Sequence, residues 1–305
     1  MNGNSVSTIG MNRDDWLSLR QSYIGASDAS AVLGINPWKS PVDVYLEKTG
    51  RATNNADSID MWLGREIEPV IAKLFEQESG MKCRQDLKIR CHPEYNYLRT
   101  NLDRVVQSAP LEMKMMAKYT DIPAHYYTQI MFQAMVTNAP HVYFAVLSTS
   151  TPRSFYWSKY KRDDDLIDEM RNECVHFWET YVMGDEVPSP ETARDAKGLY
   201  PIPDPEKSYE ADKDVKEQIA SIMDLSDEIK DRQSQVDVLK ASVMDKMKEA
   251  EMMTWQGIPL ATWRKTKDGV RFDLKQFRAE HPKLHNKFLI EKPGYRRFNI
   301  KGEVL

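Results

Sequence analysis

Helix patterns and strand patterns alternate through the first 184 residues, and this alternation constrains the fold more than any other feature. Strand patterns occur in the segments KCRQDLKIR, YNYLRTNLDRVV, PLEMKMM, HVYFAVLST and RSFYWSKY. Helix patterns occur at about residues 40–50, 61–79 and 123–138, and again from Asp163 onward. Because such helices cover the faces of a sheet, the order predicts an α/β (α+β) domain with a central mixed sheet flanked by helices.

The helix at residues 40–50 carries clear boundary signals. Ser40 is predicted as its N-cap, with Pro41 at the first helical position and Asp43 at the capping-box position. Gly50 then ends the helix, because glycine adopts the left-handed conformation that closes many helices. The helix at residues 61–79 is predicted to end in the same way, at Gly80.

Proline content and apolar spacing divide the chain into four predicted parts. Residues 1–184 form the α/β domain, and residues 185–205 hold five prolines and are predicted to be a linker. Residues 206–253 have apolar residues at imperfect heptad spacing, which predicts a long helix or a helical hairpin. This arm either docks a partner or second copy, or packs on its own domain. Residues 254–305 are predicted to form a small α+β module.

The net charge of −4 is a sum of unlike parts. Residues 185–253 contain 10 Lys/Arg and 18 Asp/Glu, whereas residues 254–305 contain 12 and 5. Charge asymmetry of this kind suggests a polyanionic partner such as nucleic acid, and the alternative is a solvated surface with segregated charges.

Composition excludes several classes of protein. Three cysteines make a poor disulfide framework, and they cannot alone form a four-cysteine metal or cluster site. No apolar run approaches the ~20 residues that a membrane-spanning helix needs, and the N-terminus lacks the pattern of a secretory signal. We therefore expect a cytoplasmic protein that does not insert into membranes.

The last part of the chain interleaves aromatic and basic residues. Its basic residues, which we predict to contact DNA, include Arg264, Lys265, Arg271, Arg296 and Arg297. Alternating cations and rings suit phosphates and stacked bases, but they also suit a tiny core with a basic surface, and most of its seven aromatics are expected in such a core. Residues 258–266 and 270–274 are predicted to be strands joined by a turn at 267–269.

A candidate catalytic cluster lies in the strand patterns. Glu112 and Lys114 are two residues apart in LEMK, so they point to the same face of a strand, and Asp103 precedes them in the strand pattern before it. Two carboxylates beside an ammonium fit a divalent cation such as Mg²⁺, which takes carboxylates, waters and phosphate oxygens as ligands. The alternative is a surface ion pair of little energetic consequence.

Two helix patterns place further polar residues on buried faces. Glu68 shares the apolar stripe of Ile71 and Phe75, where a carboxylate is costly unless it is paired or bound to a metal. Gln129 shares a face with Tyr126 and Phe132 and is therefore expected to point inward, where its amide needs partners.

The order Glu68, Asp103, Glu112-x-Lys114, Gln129 resembles that of the PD-(D/E)xK nuclease superfamily. The surrounding stretches are similar to its phage exonuclease branch, the YqaJ-type viral recombinase family related to lambda exonuclease. They are RQSYIGASDASAVLGINPWKSPVDVYLEKTG, WLGREIEPVIAKLFEQESG, LRTNLDRVV, LEMK and IPAHYYTQIMFQAMVTN. The resemblance covers about residues 12–180 and implies a restriction-endonuclease-like core.

The resemblance also implies roles for individual residues. One or two Mg²⁺ ions, or Mn²⁺ in their place, would be held by Glu68, Asp103, Glu112 and the backbone carbonyl of Met113. Lys114 would activate the attacking water, and Gln129 would support the site. Arg20 and Ser27, in R-x-x-x-I-G-A-S, match the residues that hold the 5′-phosphate of a DNA end. Asn101 stands where the lambda-type enzyme has a serine, and its side chain can still donate to a phosphate.

The function that the resemblance implies is a metal-dependent exonuclease. It would resect double-stranded DNA ends 5′→3′ and leave 3′ single strands for a phage single-strand annealing protein. Lambda-type relatives form a trimeric ring, so a homo-oligomer is expected. Two alternatives remain open: a structure-specific or sequence-specific endonuclease of the same superfamily, and a non-catalytic adaptor that binds DNA ends.

Overall fold

The computed structural model describes residues 5–52, 58–150, 152–292 and 294–301. The chain divides into two compact units, Met1–Pro201 and Ile202–Leu305.

A five-stranded mixed sheet forms the centre of the first unit, with the strand order β3-β6-β7-β8-β9. Its strands are β3 (Cys83–Arg84), β6 (Arg104–Val106), β7 (Ala109–Met116), β8 (His141–Ser148) and β9 (Ser154–Lys161). Strands β7 and β8 run parallel over six residue pairs, and the other neighbours are antiparallel. A second sheet has the order β1-β4-β5-β2 and contains β1 (Ser5–Ser7), β2 (Ile24–Gly25), β4 (Lys88–Cys91) and β5 (Leu98–Thr100).

Helices cover both faces of the five-stranded sheet. On one face, Ile71 and Phe75 of α4 (Ile59–Ser79) form a buried cluster with Leu111 and Met113 of β7. On the other face, α5 (Ala124–Thr137) packs through residues such as Phe132 against alternate residues of β8. The predicted fold class, a central mixed sheet flanked by helices, is therefore confirmed.

Further helices of the first unit complete the layer on the side of α5. They are α1 (Arg13–Gln21), α2 (Ala26–Val32), α3 (Pro41–Lys48) and α6 (Asp164–Phe177), which continues into a π-helical turn, Trp178–Val182. The predicted cap of α3 is confirmed, because the Ser40 hydroxyl accepts from the Asp43 N–H and the Asp43 carboxylate accepts from the Ser40 N–H. Gly80 ends α4 in the left-handed conformation, as predicted.

The proline-rich segment contains a short helix, α7 (Ala193–Leu199), that belongs to the first unit. The Ser40 hydroxyl donates to Asp195 over 2.7 Å, and the Arg51 guanidinium donates to the Leu199 carbonyl over 2.9 Å. Asp195 and Leu199 are both buried by this packing. The segment predicted as a linker is thus partly folded against α3.

The second unit contains a single 35-residue helix, α8 (Lys213–Met247). At 1.5 Å per residue it is about 52 Å long. Apolar residues along the predicted heptad positions, among them Ile222, Ile229 and Val236, are exposed. Among the described residues, no helix is both long enough and apolar enough to cross a membrane.

The end of the chain differs from its prediction in two respects. The hairpin is formed by β10 (Met252–Trp255) and β11 (Ile258–Thr262). Strand β11 confirms the first five residues of the predicted strand 258–266, whereas the predicted strand 270–274 and the predicted turn 267–269 are wrong. Gln256 and Gly257 form the turn, both with positive φ, which matches the twist of a two-residue hairpin loop. The short helices α9 (Leu274–Glu280) and α10 (Pro282–Lys287) follow.

The expectation that most aromatics of this segment form a core is also wrong. The exposed ones are Trp255, Trp263, Phe272, Phe288, Tyr295 and Phe298. A two-stranded hairpin and two short helices supply too little surface to enclose so many rings.

Candidate active site

Asp103 lies just before β6, at the point where the pairing between β6 and β7 ends. The last residue pair of that ladder is Arg104 with Leu111. Beyond it, the Met113 N–H donates to the Asp103 carboxylate over 2.8 Å, and not to a backbone carbonyl of the neighbouring strand. Within a strand, the N–H and C=O of one residue point to the same side. The Met113 carbonyl therefore also faces the side of Asp103.

Glu112 and Lys114 point to the opposite face of the sheet from Leu111 and Met113, as the two-residue spacing predicts. Glu112 is only 1% exposed. One of its oxygens, Oε1, lies 2.5 Å from Lys114 Nζ and accepts the Gln129 amide over 2.6 Å. The other, Oε2, accepts the Gln133 amide over 2.5 Å. Helix α5 thus holds both oxygens of a buried carboxylate in fixed positions.

The Lys114 ammonium is bound on two sides. It lies against Glu112 and over the ring of Tyr126, 5.1 Å from the ring centroid. Burial alone would lower the pKa of Lys114, but the charges of Glu112 and Asp103 outweigh burial and raise the pKa above its usual range. Lys114 is therefore a cation that donates hydrogen bonds at neutral pH. Its side chain is one-quarter exposed to solvent.

Glu68 approaches the same site from α4. Its carboxylate is one-third exposed and lies 3.9 Å from the Arg104 guanidinium. Burial and the charge of Glu112 raise the pKa of Glu68, although Arg104 opposes the shift. Burial, followed by the charges of Glu112 and Glu68, raises the pKa of Asp103 well above its usual range. Three carboxylates thus repel one another across the end of the sheet.

This donor set fits a hard divalent cation in its chemistry. Carboxylates and a backbone carbonyl are the ligands that Mg²⁺ and Mn²⁺ prefer, and a cation would relieve the repulsion that raises the pKa values of Asp103 and Glu68. The Gln133 Oε1 atom is also buried without a hydrogen-bond partner in the described part of the chain. Within that part, no three His, Cys, Asp or Glu side chains already stand close enough to hold an ion.

Arg20 and Ser27 meet in a second polar site, as the resemblance implies. The Arg20 guanidinium donates to the Ser27 hydroxyl over 2.7 Å, and it lies over the ring of Trp16. Ser27 is exposed, and Arg20 is one-quarter exposed. The pair can therefore present a guanidinium and a hydroxyl to an anion from solvent.

A buried network of charges holds Arg20 in this position. Asp28 is fully buried and lies 3.3 Å from Arg20, 2.7 Å from the Lys39 ammonium and 2.8 Å from the Lys48 ammonium. Glu47 contacts the same three cations. Burial alone would raise the pKa of Asp28, but the three cations hold it well below its usual range. Three cations against two carboxylates leave an excess of one positive charge beside Ser27.

An aromatic row lies between the two polar sites. The exposed Trp38, which precedes Lys39 in the chain, contacts His125 edge to face with ring centroids 4.9 Å apart. His125 in turn contacts Tyr126 at 4.2 Å, and Lys114 lies over Tyr126. Burial and the charge of Lys114 lower the pKa of His125, so its imidazole is neutral at pH 7. The row offers flat rings between the candidate phosphate-binding pair and the catalytic cluster.

The other predicted site residues are more dispersed. Asn101 lies exposed on the loop between β5 and β6, where its backbone carbonyl accepts from the Thr100 hydroxyl. In the second unit, Arg264 lies 3.8 Å from Glu251 and Lys265 lies 3.1 Å from Asp268. The remaining predicted basic residues, Arg271, Arg296 and Arg297, are exposed.

Several residues of these sites, among them Gln133 and Asp28, were given no role in the sequence analysis. The 3-4 spacing places Gln133 on the same helix face as Gln129, but only Gln129 was assigned to the site, whereas both amides contact Glu112. Asp28 directly follows Ser27, and it is buried although its type is usually exposed. Only the fold shows that Lys39 and Lys48 converge on it.

Comparisons with known proteins agree on one family. Residues 15–140 match the model of the YqaJ-like viral recombinase domain. The chain is 32% identical over 307 aligned residues to the uncharacterized protein YqaJ of Bacillus subtilis (strain 168), and the match covers 95% of each chain.

Among solved structures, an alkaline exonuclease from Laribacter hongkongensis is 18% identical, with a TM-score of 0.46 over 54% of this chain and 91% of that one. A phage-related exonuclease from Haemophilus somnus is 13% identical, with a TM-score of 0.40 over 55% and 97%.

Proposed function

The chain belongs to the YqaJ-like viral recombinase family, and we propose that it is a metal-dependent deoxyribonuclease that degrades double-stranded DNA from its ends. Membership confirms the resemblance drawn from the motifs. The proposed product is a duplex with 3′ single strands, suited to recombination by a phage single-strand annealing protein.

One observation carries the proposal: Asp103, Glu112 and Lys114 converge where the β6–β7 ladder ends. Asp103 is fixed by the Met113 N–H, and Glu112 is fixed by Lys114, Gln129 and Gln133. A surface ion pair, the alternative in the sequence analysis, has neither this burial nor this number of partners. Preorganised charges in a partly dry site are the arrangement that catalysis of phosphate hydrolysis needs.

The chain's own residues divide the work as follows. Glu68, Asp103, Glu112 and the carbonyl of Met113 would hold Mg²⁺ or Mn²⁺, which supplies positive charge for the phosphate and makes water more acidic. Lys114 donates hydrogen bonds from its ammonium and so orients the attacking water and stabilises charge on the phosphate. Gln129 and Gln133 prevent Glu112 from turning away.

The second polar site supports recognition of a 5′ end. Arg20 provides donors in the planar arrangement that suits a phosphate, and Ser27 adds a hydroxyl. The excess positive charge of the surrounding network favours an anion at this place. If the terminal 5′-phosphate binds there, cleavage starts at the 5′ end of that strand and proceeds 5′→3′.

The experiment compares linear and closed DNA in the presence of Mg²⁺. We expect the protein to release nucleotides from a linear duplex and to spare a covalently closed circle of the same sequence. A label on the 5′ ends should be released before a label placed internally. Nicking of the closed circle would favour an endonuclease. Binding to linear ends without any cleavage, in Mg²⁺ or Mn²⁺, would favour the non-catalytic adaptor.

A further inference from the structure

The second unit carries an exposed pocket that combines cationic side chains with an aromatic ring. The pocket lies at the start of α9 and has a volume of about 440 Å³. Its walls include Arg271, Phe272, Lys275 and Arg278. We propose that this pocket binds single-stranded DNA, with a base stacked on Phe272 and the neighbouring phosphates on the three cations.

The cations of this pocket are available to a ligand. In the part of the chain that the structure describes, none of Arg271, Lys275 and Arg278 forms an ion pair, whereas Arg264 and Lys265 face carboxylates. Asp273 also lines the pocket, and its carboxylate accepts the Gln276 N–H over 2.9 Å as the cap of α9. Three cations against one carboxylate leave two positive charges, which attract a phosphate. Because the three cations form no ion pairs in the described residues, a phosphate that binds here breaks none.

Phe272 is an exposed ring that contacts the ring of Phe277. It is 66% exposed, and its centroid lies 5.0 Å from that of Phe277, which contacts His281 at 5.4 Å. The Phe277 ring lies beside one part of Phe272, while most of the Phe272 surface remains in water. A flat ligand that stacks on this ring removes apolar surface from solvent.

The combination of charge and ring favours a single strand over a duplex. In a duplex the faces of the bases stack on one another, so an aromatic side chain reaches them only when the strand is unpaired. Residues 254–305 also have 12 Lys/Arg against 5 Asp/Glu, which complements a phosphate backbone. That the bound strand is the one left by resection rests on the proposed function, but the binding itself does not.

The test measures binding by the full-length protein in EDTA, where metal-dependent cleavage is suppressed. The ligand is a fluorescent oligo-dT circle, which has no ends for the Arg20–Ser27 site, and the readout is anisotropy. Stacking of one base predicts that Phe272→Leu weakens binding by about fivefold or more, and that Phe272→Trp retains it. Replacing Arg271, Lys275 and Arg278 with Ala should reduce the slope of log K against log[salt] by about 2.

Matched variants control for general effects of charge and surface. Tyr209→Leu removes another exposed ring of this unit, and Lys216, Lys230 and Lys246 replaced by Ala remove three exposed cations of α8. Both controls should bind as wild type. Unchanged binding by Phe272→Leu would overturn the proposal, as would tighter binding to phosphatidylserine vesicles than to the circle. Because no cleavage is measured, loss of nuclease activity alone would leave this result intact, and failure here would leave the nuclease proposal intact.

Discussion

Asp28→Asn removes the carboxylate that joins three cations beside the proposed phosphate-binding pair. The Lys48 side chain is fully buried, and its ammonium lies 2.8 Å from Asp28 and 3.3 Å from Glu47. The variant leaves this ammonium buried with Glu47 as its remaining carboxylate partner. Loss of one partner from a buried ion pair costs about 3–5 kcal/mol, and since Glu47 remains we expect about 3 kcal/mol of destabilisation.

Urea unfolding at pH 7 measures this cost. Asp168→Asn is the matched control, because Asp168 forms an ion pair of 2.8 Å with Arg171 on the surface and should cost about 0–1 kcal/mol. Adding Lys48→Met to Asp28→Asn should restore about 1 kcal/mol or more. Because the pKa of Asp28 is depressed in the folded state, the difference in unfolding free energy between Asp28→Asn and wild type should be largest above about pH 4. It should decrease as the pH falls below this value and Asp28 of the wild type becomes protonated. A cost no larger than that of Asp168→Asn would refute the stabilising role of the network.

Three further predictions concern the two polar sites. Because the pKa of Asp103 is raised in the folded state, its ionisation opposes folding, at a cost that begins above the ordinary pKa of about 4 and is complete above the raised pKa. Asp103→Asn in EDTA should therefore be more stable than wild type to urea at pH 8, and this advantage should disappear near pH 4. Equal stability at pH 8 would contradict this. Mg²⁺ at 100 times its Kd should stabilise wild type by about 2.7 kcal/mol, measured by thermal unfolding, and Glu112→Ala should abolish the gain. Arg20→Gln should reduce the ratio of kcat/KM for 5′-phosphorylated ends to kcat/KM for 5′-hydroxyl ends by about tenfold or more, because a charged hydrogen bond contributes about 1.5–3 kcal/mol. An unchanged ratio would mean that the 5′-phosphate does not bind at Arg20.

The core of the first unit was predictable because local signals and burial agree there. The capping box of α3 and the glycine that ends α4 depend only on residues close together in the sequence, and the structure contains both. The two-residue spacing of Glu112 and Lys114 fixed their common face for the same reason, since side chains alternate along any strand.

The parts that sequence analysis missed depend on contacts between distant segments. Asp28 is stabilised by Lys39 and Lys48, and nothing in the local pattern around Asp28 announces partners 11 residues away or further. The prediction of the hairpin in the second unit was partly wrong for another reason. Strand β11 lies within the predicted strand 258–266, but its partner precedes it in the chain. The chain turns at Gln256 and Gly257, whose positive φ values suit a two-residue loop, and not at Lys267-Asp268-Gly269.

The most direct test of the proposed function is the rate at which Lys114→Ala releases nucleotides from a linear duplex under single-turnover conditions with Mg²⁺. Lys118→Ala is the control, because Lys118 is an exposed lysine four residues away. A positioned donor at the reacting phosphate predicts that Lys114→Ala is slower by about 100-fold or more, whereas Lys118→Ala equals wild type. A Lys114→Ala protein that degrades the duplex at the wild-type rate would contradict the assignment of this cluster as the active site.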